Sequence, residues 1–464
     1  MSHKPDPSKN VNLKIDGIKV TVPEGTTILE AAKTININIP VLCEHPDLCR
    51  RAFCRICVVE CDGRGKLIAA CANDVWEDVN IVTVNKRLIS IRKTILEMII
   101  ANHPLDCLKC VRNKNCELQA LAVNYGITSS AFENEAGNNP PVIESETIVR
   151  DMDKCIKCAR CVEVCQEMQT IRALNTAHRS HEFEICTAYY QALEDTNCVF
   201  CGECAKVCPV GAIYGYDQTA EVWNALNSNE TKTIAAFSSD LLPALEKELS
   251  LRAGTVTAGK LTAALKLLGF DKVYDASIAA NITDSGICSE VKQRKDNSGY
   301  SLPVISGNSQ GVTRFIRNFY PDLESHLTIG KNPRKLMAAD IKNSFAKETE
   351  LNPADITSVS FMPYLAQKYS IKSDKNDYAL TASELAKMIK QAGIKIETLP
   401  EEQFDKDIFD SSKDGAQQKQ NGIDPSVKKV TVKGYAKARK IMEAIQKNEC
   451  DADWIEIESC PEGY

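Results

Sequence analysis

Residues 155–165 read CIKCARCVEVC and residues 198–209 read CVFCGECAKVCP. Both runs carry the spacing C-x2-C-x2-C-x3-C, and the second closes on Pro209. A two-residue loop is short enough to fold three thiolates around one iron-sulfur cube, and the fourth cysteine, carried off on the outgoing helix, reaches a different cube. The spacing therefore pairs Cys155, Cys158 and Cys161 with Cys208 for one 4Fe-4S cluster, and Cys198, Cys201 and Cys204 with Cys165 for another.

Upstream, HPLDCLKCVRNKNC places His103, Cys107, Cys110 and Cys116 at H-x3-C-x2-C-x5-C. By spacing alone, one histidine and three cysteines also suit zinc. Farther upstream, Cys43, Cys54, Cys57 and Cys71 follow C-x10-C-x2-C-x13-C, a ligand loop leading into a strand pair that returns the fourth thiol. Composition sets the frame. The 464 residues are ordinary in being 44% hydrophobic and 25% charged, and a net charge of -6 argues against nucleic acid as a partner. Cysteine is the anomaly. Its 21 copies crowd into short-spaced groups in the first half, a distribution that suits metal clusters in a reducing compartment rather than disulfides. No run of about 18 apolar residues suits a bilayer, and the start MSHKPDPSKN has no signal-peptide core, so the expected location is cytoplasmic, without membrane contact.

Taken in order, VNLKID and IKVTV are alternating runs joined at Gly17, a hairpin, and PEGTTILEAAK is a helix capped at Thr26 or Thr27. Lys86 to Asn102 reads as an amphipathic helix with Leu88, Ile91, Ile95, Met98 and Ile99 as its core face. The loop FENEAGNNPPVIESE marks a boundary. From Thr233, strands such as TIAAFS and TSVSFMPYL alternate with helices such as LPALEKELSL and TASELAKMIKQAGI, the pattern of a parallel α/β sheet.

The twin runs match bacterial-type ferredoxins, and hairpin, helix and cysteine loop together resemble the 2Fe-2S domain that opens FeFe hydrogenases and the large peripheral subunit of complex I. That resemblance makes Cys43, Cys54, Cys57 and Cys71 ligands of a 2Fe-2S cluster, and His103, Cys107, Cys110 and Cys116 ligands of a histidine-ligated 4Fe-4S cluster. The cofactors expected are one 2Fe-2S and three 4Fe-4S clusters. Cys49, Cys61, Cys186, Cys288, Cys450 and Cys460 are left as free thiols. The fold class expected is multidomain α+β: an N-terminal β-grasp 2Fe-2S ferredoxin domain (1–85), a histidine-ligated 4Fe-4S domain (86–145), a bacterial-type 2x4Fe-4S ferredoxin domain (146–222) and a C-terminal α/β degenerate FeFe-hydrogenase domain (230–464).

The last domain is similar to FeFe hydrogenases but departs at their signatures. Against Thr-Ser-Cys-Cys-Pro the chain has Ser306, Gly307, Asn308, Ser309 and Gln310, so the proton-delivering cysteine falls on Asn308 and a cube ligand on Ser309. Against Met-Pro-Cys and its lysine stand Met362, Pro363, Tyr364, Ala366 and Gln367. Against Glu-x-Met-x-Cys-x-x-Gly-Cys stand Glu456, Glu458, Cys460, Gly463 and Tyr464. One thiol remains of the four an H-cluster needs, and Ser, Tyr and Asn replace soft thiolates poorly, so no H-cluster and no catalytic residue is expected here. No G-x-G-x-x-G follows a strand, so the chain itself is not expected to bind NAD, and the family resemblance implies that flavin and NAD(P) lie on partner subunits. The resemblance extends to the iron-sulfur subunit of Stn-type electron-bifurcating transhydrogenases. It implies an electron-relay subunit of an oxidoreductase linking NADH, NADPH and ferredoxin, with an NADH-binding flavin iron-sulfur subunit, an NADPH-binding flavoprotein subunit and ferredoxin as partners. A relay subunit of an electron-bifurcating formate dehydrogenase and an FeFe hydrogenase with an unusual active site are the alternatives.

Overall fold

The computed structural model describes residues 6–61, 67–132, 141–145, 147–228, 230–296, 301–307, 309–329, 341–343, 345–370, 377–405 and 424–460. Most of the boundary loop, together with Asn308, Gly463 and Tyr464, lies outside the described residues. The chain divides into two units, one of Met1–Glu144, Val149–Ala192 and Glu203–Tyr214, the other of Ser145–Ile148, Leu193–Gly202 and Gly215–Tyr464.

The first unit begins with β1 (Asn10–Ile15) and β2 (Ile18–Pro23), antiparallel, with Ile15 opposite Ile18. Asp16 and Gly17 both take left-handed φ, 49° and 83°, which matches a two-residue turn to the twist of its strands. Alternation buries Val11, Leu13 and Ile15 from one strand and Val20 and Val22 from the other. Helix α1 (Ile28–Thr34) starts in a capping box: Thr27 Oγ1 accepts the Glu30 N–H at 3.1 Å, and the Glu30 carboxylate accepts the Thr27 N–H at 2.8 Å. A mixed sheet of order β2-β1-β5-β3-β4 packs on this helix, with β3 (Val58–Cys61), β4 (Leu67–Ala69) and β5 (Asn80–Val82), the last parallel to β1.

Helix α2 (Lys86–Ala101), capped by Asn85, runs where the periodicity places it but turns a different face inward. Leu88, Arg92, Leu96 and Ile100 are buried, while Met98 is 51% exposed. Arg92 decides the rotation. Its Nη2 donates to the carbonyls of Val58 at 2.6 Å and Thr83 at 2.9 Å, so this side chain, polar in any sequence pattern, is the one that points inward. After α3 (Glu117–Asn124), the antiparallel strands β6 (Val142–Ile143) and β7 (Ile148–Arg150) lead into the first cysteine run. That run winds through α4 (Arg160–Glu163) into a π-turn over Val164–Met168. The antiparallel strands β8 (Asn175–Ala177) and β9 (Glu184–Cys186) follow, and α5 (Glu203–Val207) leads to Cys208 and then to β10 (Ile213–Gly215).

In the second unit, α6 (Thr219–Leu226) precedes the main sheet. Strands β11 (Lys232–Phe237), β12 (Lys272–Asp275), β14 (Ile356–Met362) and β15 (Asp377–Thr381) form that sheet in the order β12-β11-β14-β15, parallel throughout. Helices α7 (Leu241–Leu249), α8 (Ala258–Leu268) and α11 (Ala382–Gln391) bury Leu241, Leu245, Leu261, Leu265, Leu385 and Met388 in its core. Helix α9 (Ser277–Asp296) follows β12. A second parallel sheet, β13 (Val304–Gly307), β17 (Trp454–Glu458) and β16 (Lys429–Lys433), joins stretches 150 residues apart, with Ser306 beside Glu456. Helix α10 (Gln310–Phe319) follows β13, and α12 (Tyr435–Gln446) connects β16 to β17. No described helix is long and apolar enough to cross a membrane.

Arg92→Leu leaves two buried carbonyls without a donor. Each costs about 1–3 kcal/mol. Denaturant unfolding and amide exchange around Val58 and Thr83 should both register the loss; wild-type values in both would mean that Arg92 is not what fixes this helix face.

Candidate metal centres

The thiols of Cys43, Cys54, Cys57 and Cys71 converge beside β3 and β4. Cys57 Sγ lies 3.3 Å from Cys71 Sγ, the Cys54 N–H reaches Cys43 Sγ at 3.4 Å, and the thiols of Cys54 and Cys71 also bond to Cys43. Left-handed turns at Ala52 (φ 53°) and Arg55 (φ 59°) coil the loop this tightly. Hydrogen bonds from Cys54 and Cys71 pull the Cys43 thiol down, and one from Cys71 lowers Cys57 to about 7. Bonding to Cys43 pushes Cys54 and Cys71 up. Metal binding would require these grouped thiols as thiolates. Cys49 is exposed, and Cys61 sits opposite Ile81 in the sheet core; neither joins the group.

His103, 7% exposed, follows the end of α2. Its Nδ1 lies 2.8 Å from the Pro104 carbonyl and donates to it. Nε2 is buried with no hydrogen-bond partner among the described residues, and burial pushes the imidazole pKa down. A neutral ring with one nitrogen fixed by a carbonyl and the other bare has the form of a metal ligand. Cys107, Cys110 and Cys116 are half-buried on the loop that follows, and Cys116 Sγ accepts the Gln119 N–H at 3.4 Å at the start of α3. Gly211 makes room for Cys110: a Cβ there would stand 2.7 Å from its sulfur.

The two longer runs repeat one backbone pattern. Lys157 (φ 56°) and Ala159 (φ 62°) in the first occupy the same places as Phe200 (φ 52°) and Gly202 (φ 78°) in the second. These left-handed residues aim amides at sulfur: Lys157 N–H to Cys155 and Phe200 N–H to Cys198, each at 3.4 Å. Cys155, Cys158, Cys161 and Cys208 line one cavity closed by Ile185 and Val210. Apolar burial pushes Cys155 up to about 11 and Cys158 to about 12, and it pushes Cys161 well above the ordinary thiol value, so these thiols keep their protons until a metal displaces them. Of the remaining set, Cys165 and Cys204 belong to the first unit and Cys198 and Cys201 to the second. Cys165, on the π-turn, accepts the Ala173 N–H at 3.3 Å. Among the described residues no three His, Cys, Asp or Glu side chains converge tightly enough to hold a single ion.

Known proteins similar to this chain bear on these groups. A model of the C-terminal domain of the iron-only hydrogenase large chain matches residues 231–422, and a 2Fe-2S iron-sulfur cluster binding domain matches 8–86. The NADH-ubiquinone oxidoreductase-G iron-sulfur binding region matches 92–131, and the ferredoxin-like domain of NADH-quinone oxidoreductase subunit 3 matches 145–214. The NADP-reducing hydrogenase subunit HndD of Solidesulfovibrio fructosivorans is 35% identical over 413 residues, covering 85% of this chain and 71% of its own. The chain belongs to the iron-only hydrogenase family. Iron hydrogenase 1 of Clostridium pasteurianum is 30% identical, covering 87% of this chain and 71% of its own. The NADPH-Fe(3+) oxidoreductase subunit alpha of Geobacter sulfurreducens is 34% identical over 208 residues, 44% of this chain and 24% of its own. This member of the iron-only hydrogenase family thus combines an N-terminal 2Fe-2S domain, 4Fe-4S ferredoxin-like domains and a C-terminal hydrogenase-like domain.

In that last domain the signature positions gather around hydroxyls. Ser309 Oγ lies 2.7 Å from Ser459 Oγ, which lies 2.9 Å from the hydroxyl of Tyr435, and all three residues are buried. Ser306 accepts the indole N–H of Trp454 at 2.7 Å. Burial raises the phenol pKa of the partly exposed Tyr364, and the nearby Cys460 raises it further. Met362 and Ala366 are buried, Gln367 is 3% exposed with its Oε1 unpaired among the described residues, and Glu456 and Glu458 are ion-paired to Lys429 and Lys433. Arg314, from α10, donates to the carbonyls of Glu194, Thr196 (2.8 Å) and Cys198 (2.6 Å), and Phe200 stacks on Tyr369 with centroids 4.4 Å apart. Sequence reasoning missed Tyr435, Ser459, Arg314 and Gly211. Only the glycine left a signal, two residues past Cys-Pro at the end of a ligand run.

Gly211→Ala should push Cys110 off its position. The purified protein is then expected to lose about four iron atoms per chain relative to wild type. Iron analysis with paramagnetic resonance checks this, and unchanged iron and spectra would show that Cys110 holds no metal.

Proposed function

We propose that this chain is the iron-sulfur relay subunit of a multi-subunit, NAD(P)H-linked oxidoreductase, and more specifically of an electron-bifurcating transhydrogenase linking NADH, NADPH and ferredoxin. The observation that carries the reading is the contrast within one chain between gathered thiols in the first part and the buried Ser309–Ser459–Tyr435 hydroxyl chain in the hydrogenase-like part. Bound clusters supply one-electron acceptance and release. Cys43, Cys54, Cys57 and Cys71 would hold a 2Fe-2S cluster, and His103, Cys107, Cys110 and Cys116 a 4Fe-4S cluster through the bare Nε2. Cys155, Cys158, Cys161 and Cys208 would hold the second 4Fe-4S cluster, and Cys198, Cys201, Cys204 and Cys165 the third. These residues would exclude water from the clusters, and the amides aimed at sulfur would favour the reduced, more negative state.

The donor set at the hydrogenase signatures does not fit an H-cluster. Cys460 is one thiol where four are needed, and Ser309 already spends its hydroxyl on Ser459. Hydrogen chemistry is therefore not assigned to this chain, and the domain serves as scaffold, as Arg314 does when it holds the Cys198 loop by three carbonyls. The nicotinamide link draws support from relatives described as an NADP-reducing hydrogenase subunit and an NADPH-Fe(3+) oxidoreductase subunit. In this reading the four-part division at 1–85, 86–145, 146–222 and 230–464 holds, flavin and NAD(P) sit on partners, and the complex is cytoplasmic.

Isolation of the native complex without oxygen tests the assignment. An NADH flavoprotein and an NADPH flavoprotein should co-purify, with no hydrogen evolved. A formate dehydrogenase partner, or carbon monoxide and cyanide infrared bands in this chain after maturation, would overturn it. His103→Cys should keep its cluster at a lower potential, because thiolate adds negative charge where imidazole was neutral; redox titration giving wild-type midpoints would remove His103 from the ligand set.

A further inference from the structure

Arg160 occupies the two-residue loop between Cys158 and Cys161, and only 5% of it is exposed. A cation taken out of water must be held by opposite charge and by acceptors. Its guanidinium meets Glu117 at two points, Nη1 to Oε1 at 2.6 Å and Nη2 to Oε2 at 2.8 Å, and Nη2 also donates to the Glu44 carbonyl at 2.7 Å. Glu117 adjoins Cys116, and Glu44 adjoins Cys43. The Arg160 backbone N–H donates to Cys158, and both Cys158 and Cys43 lie within electrostatic reach of the guanidinium. One fixed charge therefore lies within reach of two thiol groups, and the carboxylate that holds it adjoins Cys116 of a third.

The ion pair does not cancel this charge evenly. The Glu117 side chain is 45% exposed and the Arg160 side chain 5%. Water screens the carboxylate, whereas the guanidinium acts through dry protein of lower effective dielectric. At the sulfurs the positive end dominates.

We propose that Arg160 sets the reduction potentials of three clusters together, those of the Cys43, His103 and Cys155 groups, by favouring the reduced state of each. This rests on the ligand reading given under the proposed function. Each reduction adds one electron and one negative charge with no proton, so a fixed cation raises all three midpoints. Arg160 touches no substrate; it is a positioning and tuning residue, and its neighbour Glu117 opposes it.

The test is an anaerobic redox titration, followed by paramagnetic resonance, of the full cluster-loaded chain as wild type, Arg160→Gln, Arg160→Lys and Glu117→Gln. Arg160→Gln should lower all three midpoints, reducing the ratio of reduced to oxidised cluster at a fixed potential about tenfold, which is about 59 mV for a one-electron couple. Arg160→Lys should restore most of the shift by restoring the charge, and Glu117→Gln should move the midpoints upward. Arg160→Gln chains that bind less iron or melt earlier, but whose remaining clusters titrate at wild-type midpoints, would show a packing role and overturn the proposal, as would a downward shift in Glu117→Gln. Absence of these three signals from wild type would instead remove the ligand reading, and the proposal with it.

Discussion

In both long cysteine runs the two-residue loops between thiols turn left-handed, and the amides and burial around them hold the sulfurs in place. Each non-glycine residue in that conformation costs roughly 1–2 kcal/mol. Lys157, Ala159 and Phe200 all take it. The turns aim amides at sulfur, and the burial around them shuts out water. Without metal the same burial keeps thiols protonated, so cluster binding and folding of these loops are coupled.

The hydrogenase-like part meets a different constraint. At Ser309, where family resemblance places a sulfur ligand, a buried chain of hydroxyls runs through Ser459 to Tyr435. A buried hydroxyl without a partner is costly, and each of these three has one. The domain retains its parallel sheet and its helices, and through α10 it holds the backbone of the Cys198 loop.

Much of this was legible in the residues. The β1–β2 hairpin followed from alternation and Gly17, α1 from a cap at Thr26 or Thr27, of which the structure uses Thr27, and the parallel sheet around β11 from alternating strands and helices. The gathering of Cys43, Cys54, Cys57 and Cys71, and of Cys155, Cys158 and Cys161 with Cys208, agrees with the grouping read from spacing. What depends on distant pairing was not legible. The second parallel sheet joins segments far apart in sequence, and the inward rotation of α2 rests on Arg92 finding carbonyls on β3 and before α2. Neither alanine nor phenylalanine advertises a left-handed backbone, so the turns at Ala159 and Phe200 are set by the closure of the loop and not by the residue. The contacts of Arg160 with Glu117 and Glu44 likewise need the folded chain.

The central claim is that the chain carries relay clusters and no hydrogen-converting centre. Iron and acid-labile sulfide, measured on protein purified anaerobically after co-expression with the machinery that builds H-clusters, test it most directly. One 2Fe-2S and three 4Fe-4S clusters predict about 14 irons per chain with equal sulfide. A value near 20 irons, with iron in excess of sulfide, would contradict the account.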